Sequence, residues 1–194
     1  MTRLLASAAA LALTAGLAFA QQTTLTVGMQ LEPPNLDPTG GAAGAIDGVV
    51  YANVFEGLTR IDRNGGVQPA LAREWEISDD GLTYTFRLVE GATFHDGTAL
   101  DAEDVKFSFE RAMAEDSTNA QKGLFEPIER IEVVDPATVR ITLGQPTGAF
   151  LFNMGWGDAV IVGAESVETN ATDPVGTGPF RFEAWAKGDS VTLV

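Results

Sequence analysis

The stretch DGLTYTFRL, residues 80–88, decides the fold class of this 194-residue chain. From Leu82 onwards, every second residue is apolar or aromatic, and the residues between are Thr or Arg. This alternation predicts a β-strand with one buried face. The preceding residues 78–81, Ser-Asp-Asp-Gly, are typical of a turn, and Trp75 and Ile77 before them predict a partner strand facing the same way. The stretch therefore predicts an antiparallel hairpin with an aromatic core face.

Both helices and strands are predicted on either side of this hairpin. On its amino-terminal side we expect a half-buried strand over 24–29, a proline-rich loop over 32–38, a helix of about three turns over 46–58, a short strand over 58–62 and a helical turn over 70–73. On its carboxy-terminal side we expect a turn over 94–98, a second hairpin over 131–143, a short helix over 149–156, a buried strand over 160–162 and strands over 180–184 and 190–194. The fold class is therefore mixed α/β (α+β).

A further helix is predicted to begin after Asp101. Asp101 has the side chain of an N-cap, and Asp104 stands where a capping box usually has Glu. The following residues Val105, Phe109 and Ala112–Met113 share one helical face. The acidic residues here are better explained as a helix start than as a calcium loop, whose spacing they lack.

The composition limits the classes of function. The chain has 12 Lys and Arg against 27 Asp and Glu, a formal net charge of -15. Binding to nucleic acid requires basic residues that displace counterions from phosphates, so we exclude that class, and an anionic membrane surface would repel the chain. The absence of cysteine excludes disulfides, thiolate metal sites and cysteine nucleophiles. We expect no metal and no cofactor.

The first twenty residues have the pattern of a secretory signal peptide. Arg3 supplies the positive start, residues 4–17 are mostly apolar, and residues 18–20 read Ala-Phe-Ala. The apolar stretch is shorter than the ~20 residues that span a bilayer. Position 21 is Gln, not the Cys of a lipid-anchored protein, so we expect a soluble periplasmic protein cleaved after Ala20.

Five segments in order resemble one protein family. They are FEGLTR at 55–60, QPALAREW at 68–75, DGLTYTFRL at 80–88, FHDGTALDAEDV at 94–105 and GTGPF at 176–180. Together they are similar to the family 5 extracellular solute-binding proteins, which carry peptides, nickel and related solutes. Because the segments cover nearly all of the chain in family order, the resemblance is specific.

The resemblance implies the first lobe of a two-lobed fold of the type II periplasmic-binding-protein class, in its large peptide-binding form. It implies a hinge-side subdomain from residues 21–43 and 160–194, and a smaller subdomain from residues 44–159. The second lobe would be absent. Because the sequence stops at Val194 inside a predicted strand, we expect this chain to be the amino-terminal part of a longer protein.

The resemblance also implies a function and partners. We expect a non-catalytic, monomeric protein that captures a small solute or peptide and delivers it to an ABC permease in the inner membrane. Peptides are the first choice of ligand; nickel complexes, glutathione and oligosaccharides remain open. An exported hydrolase or a chaperone-like protein is the alternative from another class, although the G-x-S-x-G elbow of a serine hydrolase is missing.

The candidate ligand-binding residues are the segment 29–32, Trp156 and Gly178. Met29, Gln30, Leu31 and Glu32 follow the first predicted strand, where an extended peptide could pair with the backbone; an ordinary exit loop is the alternative. Trp156 could face a cleft or the core.

The other glycine and histidine motifs give structural interpretations. Gly178 could border the cleft or occupy a position that requires glycine. His95 is the only histidine, and its x-D-G context favours a turn over catalysis.

Export can be tested directly. The Ala-Phe-Ala motif at 18–20 predicts that the exported protein begins at Gln21. Intact-mass spectrometry of the periplasmic fraction would show this terminus, whereas an uncleaved cytoplasmic product would contradict the prediction.

Overall fold

The computed structural model describes residues 23–194. The predicted signal peptide, residues 1–20, lies outside this range. By its internal contacts the described chain divides after Gln30: residues 23–30 belong to one unit and Leu31–Val194 form the other. Within residues 23–194, the helices and strands all lie in the second unit.

A four-stranded antiparallel sheet is the largest element, with the order β3-β4-β6-β5. Two further two-stranded ladders pair β1 with β2 and β7 with β8. The strands are β1 Thr59–Ile61, β2 Val67–Pro69, β3 Ala72–Ile77, β4 Thr83–Leu88, β5 Ile128–Asp135, β6 Thr138–Leu143, β7 Phe182–Ala186 and β8 Ser190–Leu193. The helices are α1 Gly44–Val50, α2 Ala102–Met113 and α3 Phe150–Asn153, with 3-10 turns at Lys122–Leu124, Gly157–Ala159 and Val167–Thr169. The predicted mixed α/β class is confirmed.

The hairpin predicted from residues 80–88 is present as β3 and β4. Its turn positions Gly81 at φ +70°, and the Asp80 carboxylate accepts a hydrogen bond from the Leu82 amide at 3.0 Å. Tyr84, Phe86 and Leu88 are buried on one face of β4, as the alternation predicted. The ring of Tyr84 packs on Phe150 of α3, with 4.8 Å between the ring centroids. The hairpin is thereby in contact with α3.

Helix α2 begins as the sequence predicted. The Asp101 carboxylate accepts a hydrogen bond from the Glu103 amide, and the Asp104 side chain accepts one from the Asp101 amide, which completes a capping box. Val105 and Phe109 are buried where the helix packs against β5 and β6. The second predicted hairpin is the β5–β6 pair, in which Ile131 lies opposite Ile141.

The buried apolar residues form two clusters. The larger lies between the sheet and α2; the smaller joins α1 to the segment 160–162 and contains Leu36, Ile46, Val49, Val50, Val54, Phe55, Val160, Val162 and Val167. The Ser108 hydroxyl accepts a hydrogen bond from the Val162 amide at 2.9 Å and so links α2 to the smaller cluster. The subdomain boundaries at 43/44 and 159/160 remain a prediction. The segment from Ile46 to Phe55 packs with Val160 and Val162.

Two expected strands are not formed. Residues 24–29 belong to no β-ladder of the described chain, and Leu25 and Val27 are 86% and 71% exposed. Alternation alone does not make a strand, because its backbone groups need a neighbouring strand to pair with. Residues 160–162 are buried as expected, but they form only a single bridge, between Gly57 and Val160.

Two expected helical segments also differ. Helix α1 ends at Val50 and does not continue to residue 58, because Tyr51 is extended and Ala52 takes φ +57°. The amides of Val54 and Phe55 then both donate to the Val50 carbonyl. Residues 70–73 form no helical turn; Ala72 and Arg73 already belong to β3, which pairs with β4. Ile77, predicted to face the same way as Trp75, is 46% exposed at the end of this edge strand.

The burial of β4 predicts a contrast between neighbouring positions. Phe86 is fully buried, so Phe86→Ala should lower the free energy of unfolding by ~3–5 kcal/mol because it removes core contacts and leaves a cavity. Thr85 lies on the opposite, half-buried face, so Thr85→Ala should cost less than about 1 kcal/mol. Urea denaturation of both variants measures the difference. Equal losses would contradict the register of the strand.

Candidate functional site

The loop Gly155-Trp156-Gly157-Asp158 lies close against β1 and α1. The Tyr51 hydroxyl donates a hydrogen bond to the Gly155 carbonyl. A Cβ atom on Gly155 would lie 3.2 Å from the side chains of Ile61 and Thr59, and one on Gly157 would lie 2.6 Å from the Asp47 carboxylate. A side chain at position 157 would therefore displace the Asp47 carboxylate, and one at position 155 would press on Ile61 and Thr59. Between these two glycines, Trp156 is 42% exposed and meets Phe152 edge-on, with centroids 6.5 Å apart.

Two carboxylates lie at this loop: Asp158 belongs to it, and the Asp47 carboxylate lies against Gly157. Asp158 is only 8% exposed; burial raises the pKa of its carboxyl, and the negative charge of Asp47 adds to this, bringing the pKa to about 6. Burial also raises the pKa of Asp47. Burial raises the pKa of Tyr51 as well, with Asp47 adding to the effect and Arg60 opposing it. The carboxylate pair therefore makes the local field negative.

Tyr51 also lines a cleft of about 410 Å³. Its wall contains one ionisable pair of opposite sign, Glu56 and Arg60. The Glu56 carboxylate accepts a hydrogen bond from the Thr177 hydroxyl at 3.1 Å, and Arg60 donates to the Pro69 carbonyl at 3.2 Å. The remaining lining residues are Tyr51, Ala52, Gly57, Thr59, Ala70, Thr177 and Pro179. The cleft has the size of a small-molecule site.

Gly176 and Gly178 have the backbone role that the sequence suggested. A Cβ atom would lie 1.9 Å from the Val54 carbonyl oxygen at Gly176, and 2.4 Å from the Asn53 carbonyl oxygen at Gly178. The Gly178 amide donates to the Val54 carbonyl at 2.8 Å. Nothing here tests a contact of Gly178 with ligand, which remains a prediction.

His95 forms hydrogen bonds with the loop that contains Gly176 and Gly178. Its Nε2 lies 2.8 Å from the Gly178 carbonyl oxygen, and its amide donates to the Gly176 carbonyl. A carbonyl can only accept, so Nε2 carries the proton and Nδ1, which is buried, has no partner. The turn at 94–98 that we expected is present, with the Asp96 carboxylate accepting from the Thr98 amide at 2.9 Å.

The four predicted ligand residues at 29–32 are divided between the two units. Met29 and Gln30 lie in the first, where Met29 is largely exposed, and Leu31 and Glu32 lie in the second. One Glu32 carboxylate oxygen accepts hydrogen bonds from the Trp185 indole at 3.1 Å and the Gly188 amide at 2.7 Å. Glu32 therefore closes the β7–β8 turn, and a ligand contact of these four residues remains a prediction.

Sequence reasoning did not find Asp47, Tyr51 or Asp158. Asp47 lies in the first turn of an apolar helix, and Asp158 follows the glycine of the Trp156 loop. The signal that could have found Asp158 is its place beside a tryptophan flanked by two glycines. Its burial and its proximity to Asp47 result from contacts between residues far apart in sequence.

Within residues 23–194, no group of three or more His, Asp or Glu side chains could hold a metal ion. No helix in that range is both long and apolar enough to cross a bilayer. The candidate site consists of the Trp156 indole, the carboxylates of Asp47 and Asp158, and the cleft lined by Tyr51.

Comparison with known families agrees with the fold. Residues 66–194 match the bacterial extracellular solute-binding proteins, family 5 Middle. This chain belongs to that family. Among curated family 5 relatives, the glutathione-binding protein GsiB of Pectobacterium atrosepticum is 37% identical over 163 residues, and the one from Escherichia coli K12 is 33% identical over 195 residues. These alignments cover 82% and 98% of this chain.

Solved structures of binding proteins have a similar backbone arrangement. The binding protein AgaA from A. tumefaciens R10, in complex with agropinic acid, superposes with a TM-score of 0.78 at 32% identity and covers 84% of this chain. DppA from Helicobacter pylori, a periplasmic binding protein in complex with the peptide STSA, superposes at 0.73 with 33% identity over 82% of the chain. The chain spans about a third of the length of these relatives, 33% of AgaA and 32% of the Pectobacterium protein.

The buried carboxyl of Asp158 predicts that the free energy of unfolding falls as pH rises. Because its folded pKa is raised from 3.8 to about 6, its contribution to stability is fully present below the unfolded value and is lost as pH rises from about 4 to 6. Asp158→Asn removes the charge and should increase the free energy of unfolding at pH 7.5 by about 1–2 kcal/mol, with no gain near pH 4. Urea melts at the two pH values measure this.

The exposed variant Asp116→Asn is the matched control and should change neither value. A gain for Asp158→Asn that is the same at both pH values would contradict the titration argument.

Proposed function

We propose that this chain is the amino-terminal part of an exported solute-binding protein that delivers its ligand to an ABC importer. The observation that supports this most strongly is the family match over residues 66–194, together with the superposition on binding proteins solved with their ligands. The binding role does not require chemistry on the ligand, and we propose that the protein is not an enzyme. No feature of the described residues favours the alternative hydrolase.

The proposed ligand is a peptide or a small amino-acid derivative. The relatives' names give glutathione, agropinic acid, a nickel–histidine complex and a tetrapeptide as ligands of those proteins. In this chain we propose that the ligand lies against the exposed indole of Trp156 and the adjoining cleft beside Tyr51. Met29, Gln30 and Leu31 remain proposed backbone contacts, because nothing tests them.

We propose a two-lobed protein in which this chain supplies most of the first lobe. Its proposed subdomains are residues 21–43 with 160–194 on the hinge side, and residues 44–159 as the smaller part. A ligand stabilises the closed form only through contacts that the open form lacks. The face around Trp156 would therefore be completed by residues of the second lobe, and this chain alone would bind weakly.

The proposed location is the periplasm, with the protein free in solution and monomeric. The signal-like residues 1–20 and the absence of a cysteine that could carry a lipid support this. The proposed partner is the permease of the importer, and the acidic net charge of -15 gives no support to a nucleic-acid partner.

The function can be tested on the native polypeptide that carries this chain. A panel of tetrapeptides, reduced glutathione and nickel with histidine should contain a compound that raises the melting temperature in proportion to its concentration, because it binds only the folded state. Trp156→Ala should reduce the affinity for that compound at least about tenfold, if the indole supplies a buried contact of ~1.4 kcal/mol or more.

Val134→Ala is the control, since Val134 is similarly exposed but lies on β5. It should leave the affinity unchanged. Absence of stabilisation by the whole panel, or consumption of a bound peptide, would contradict a solute-binding role.

A further inference from the structure

The cleft lined by Tyr51 contains two charged side chains of opposite sign that do not pair with each other. Glu56 and Arg60 both line it. Within residues 23–194 neither side chain belongs to an ion pair, whether with the other or with a further charged group. Each of the two charges can therefore receive a group of opposite charge from a ligand in the cleft.

The Arg60 guanidinium is held through one of its donors and leaves the others available. Its Nε–H donates to the Pro69 carbonyl at 3.2 Å, whereas its two terminal nitrogens have no hydrogen-bond partner in the described part of the chain. Its positive charge opposes the rise in the pKa of Tyr51, so the guanidinium acts on a second wall of the same cleft. Two terminal guanidinium nitrogens form a fork that binds a carboxylate through two parallel hydrogen bonds.

The Glu56 carboxylate is also oriented by one contact. One of its oxygens accepts a hydrogen bond from the Thr177 hydroxyl at 3.1 Å, and the other has no hydrogen-bond partner within residues 23–194. Thr177 lies between Gly176 and Gly178, whose close approach to the backbone of residues 53–54 fixes this loop. The carboxylate is therefore positioned before a ligand arrives, which lowers the cost of binding.

The remaining wall of the cleft is uncharged. The hydroxyls of Tyr51 and Thr59 already donate to backbone carbonyls. Four further lining residues are small and apolar: Ala52, Gly57, Ala70 and Pro179. The cleft thus offers one acid and one base in a volume of about 410 Å³, which fits a small organic molecule.

We propose that Arg60 and Glu56 bind the two ends of a zwitterionic solute in this cleft, with the solute carboxylate at the guanidinium of Arg60 and the solute ammonium group at the carboxylate of Glu56. The proposal deepens the solute-binding function and rests on it. Because the two side chains do not reach each other, the ligand class is one whose charges are also separated, such as a dipeptide with both end groups free. These two residues therefore provide discrimination between free and blocked end groups.

The assignment can be tested with L-alanyl-L-alanine as the probe. The native polypeptide, without ligand, is labelled with 13C at its alanine methyl groups, and the signals of the two lining alanines are assigned with Ala52→Gly and Ala70→Gly. The dipeptide should shift both signals and leave that of Ala112, a core residue, unchanged. Acetylation of the dipeptide amine, or amidation of its carboxyl group, should each weaken binding at least about tenfold, because each removes one contact between opposite charges.

The variants assign each end of the dipeptide to one side chain. Arg60→Gln should weaken binding of the dipeptide at least about tenfold and leave binding of its amide unchanged. Glu56→Gln keeps an acceptor for the Thr177 hydroxyl, and should weaken the dipeptide equally while leaving its acetylated form unchanged. The matched controls are Arg73→Gln and Glu90→Gln, which should alter no affinity because these two residues pair with each other and do not line the cleft.

The outcomes separate this assignment from the solute-binding function. Unchanged signals of Ala52 and Ala70 would overturn the assignment, and so would a variant that weakens the dipeptide and both blocked forms by the same factor. If a compound of the panel raises the melting temperature while the dipeptide leaves both signals unchanged, the assignment is wrong and the solute-binding function stands. If neither the panel nor the dipeptide binds, both are wrong.

Discussion

The close approach of Gly176 and Gly178 to the backbone of Asn53 and Val54 is the constraint on which the rest of this structure depends. Val54 belongs to the smaller apolar cluster, and His95, which follows the larger cluster's Phe94, donates both to Gly176 and to Gly178. Segments distant in sequence are thereby fixed at one point. Any side chain at these two glycines would move backbone atoms, because the obstruction is a carbonyl and not a flexible side chain.

The sequence was sufficient where one local pattern determines the structure. The alternation through Tyr84, Phe86 and Leu88 predicted the core face of the sheet, and the spacing of Asp101 and Asp104 predicted the capping box. It was insufficient where a neighbour decides: residues 24–29 alternate but have no ladder, and α1 stops at Val50 because Ala52 turns the chain. The glycines at 176 and 178 were correctly interpreted as backbone positions, but what they contact was not predictable.

The candidate site shows the same limit. Trp156 was a candidate from sequence, and the structure leaves it partly exposed, whereas Asp47 and Asp158 come together from residues more than a hundred positions apart. Glu32, chosen for its place after a predicted strand, instead closes a turn with one oxygen. Burial of the Asp158 carboxyl disfavours its ionised form and so lowers the stability of the fold at neutral pH.

The hydrogen bonds of Glu32 have a consequence for the timing of folding. Glu32 bonds to Trp185 and Gly188, and the Leu36 amide bonds to the Ala171 carbonyl, so the earliest described segment of the unit is completed by some of the last residues. Contacts of such sequence separation form late and slowly. During synthesis at ~5–20 residues per second, roughly 8–30 s pass between the synthesis of Glu32 and that of Gly188, which lies 156 residues later. A unit whose first described segment bonds to residues made so much later cannot complete its fold during that interval.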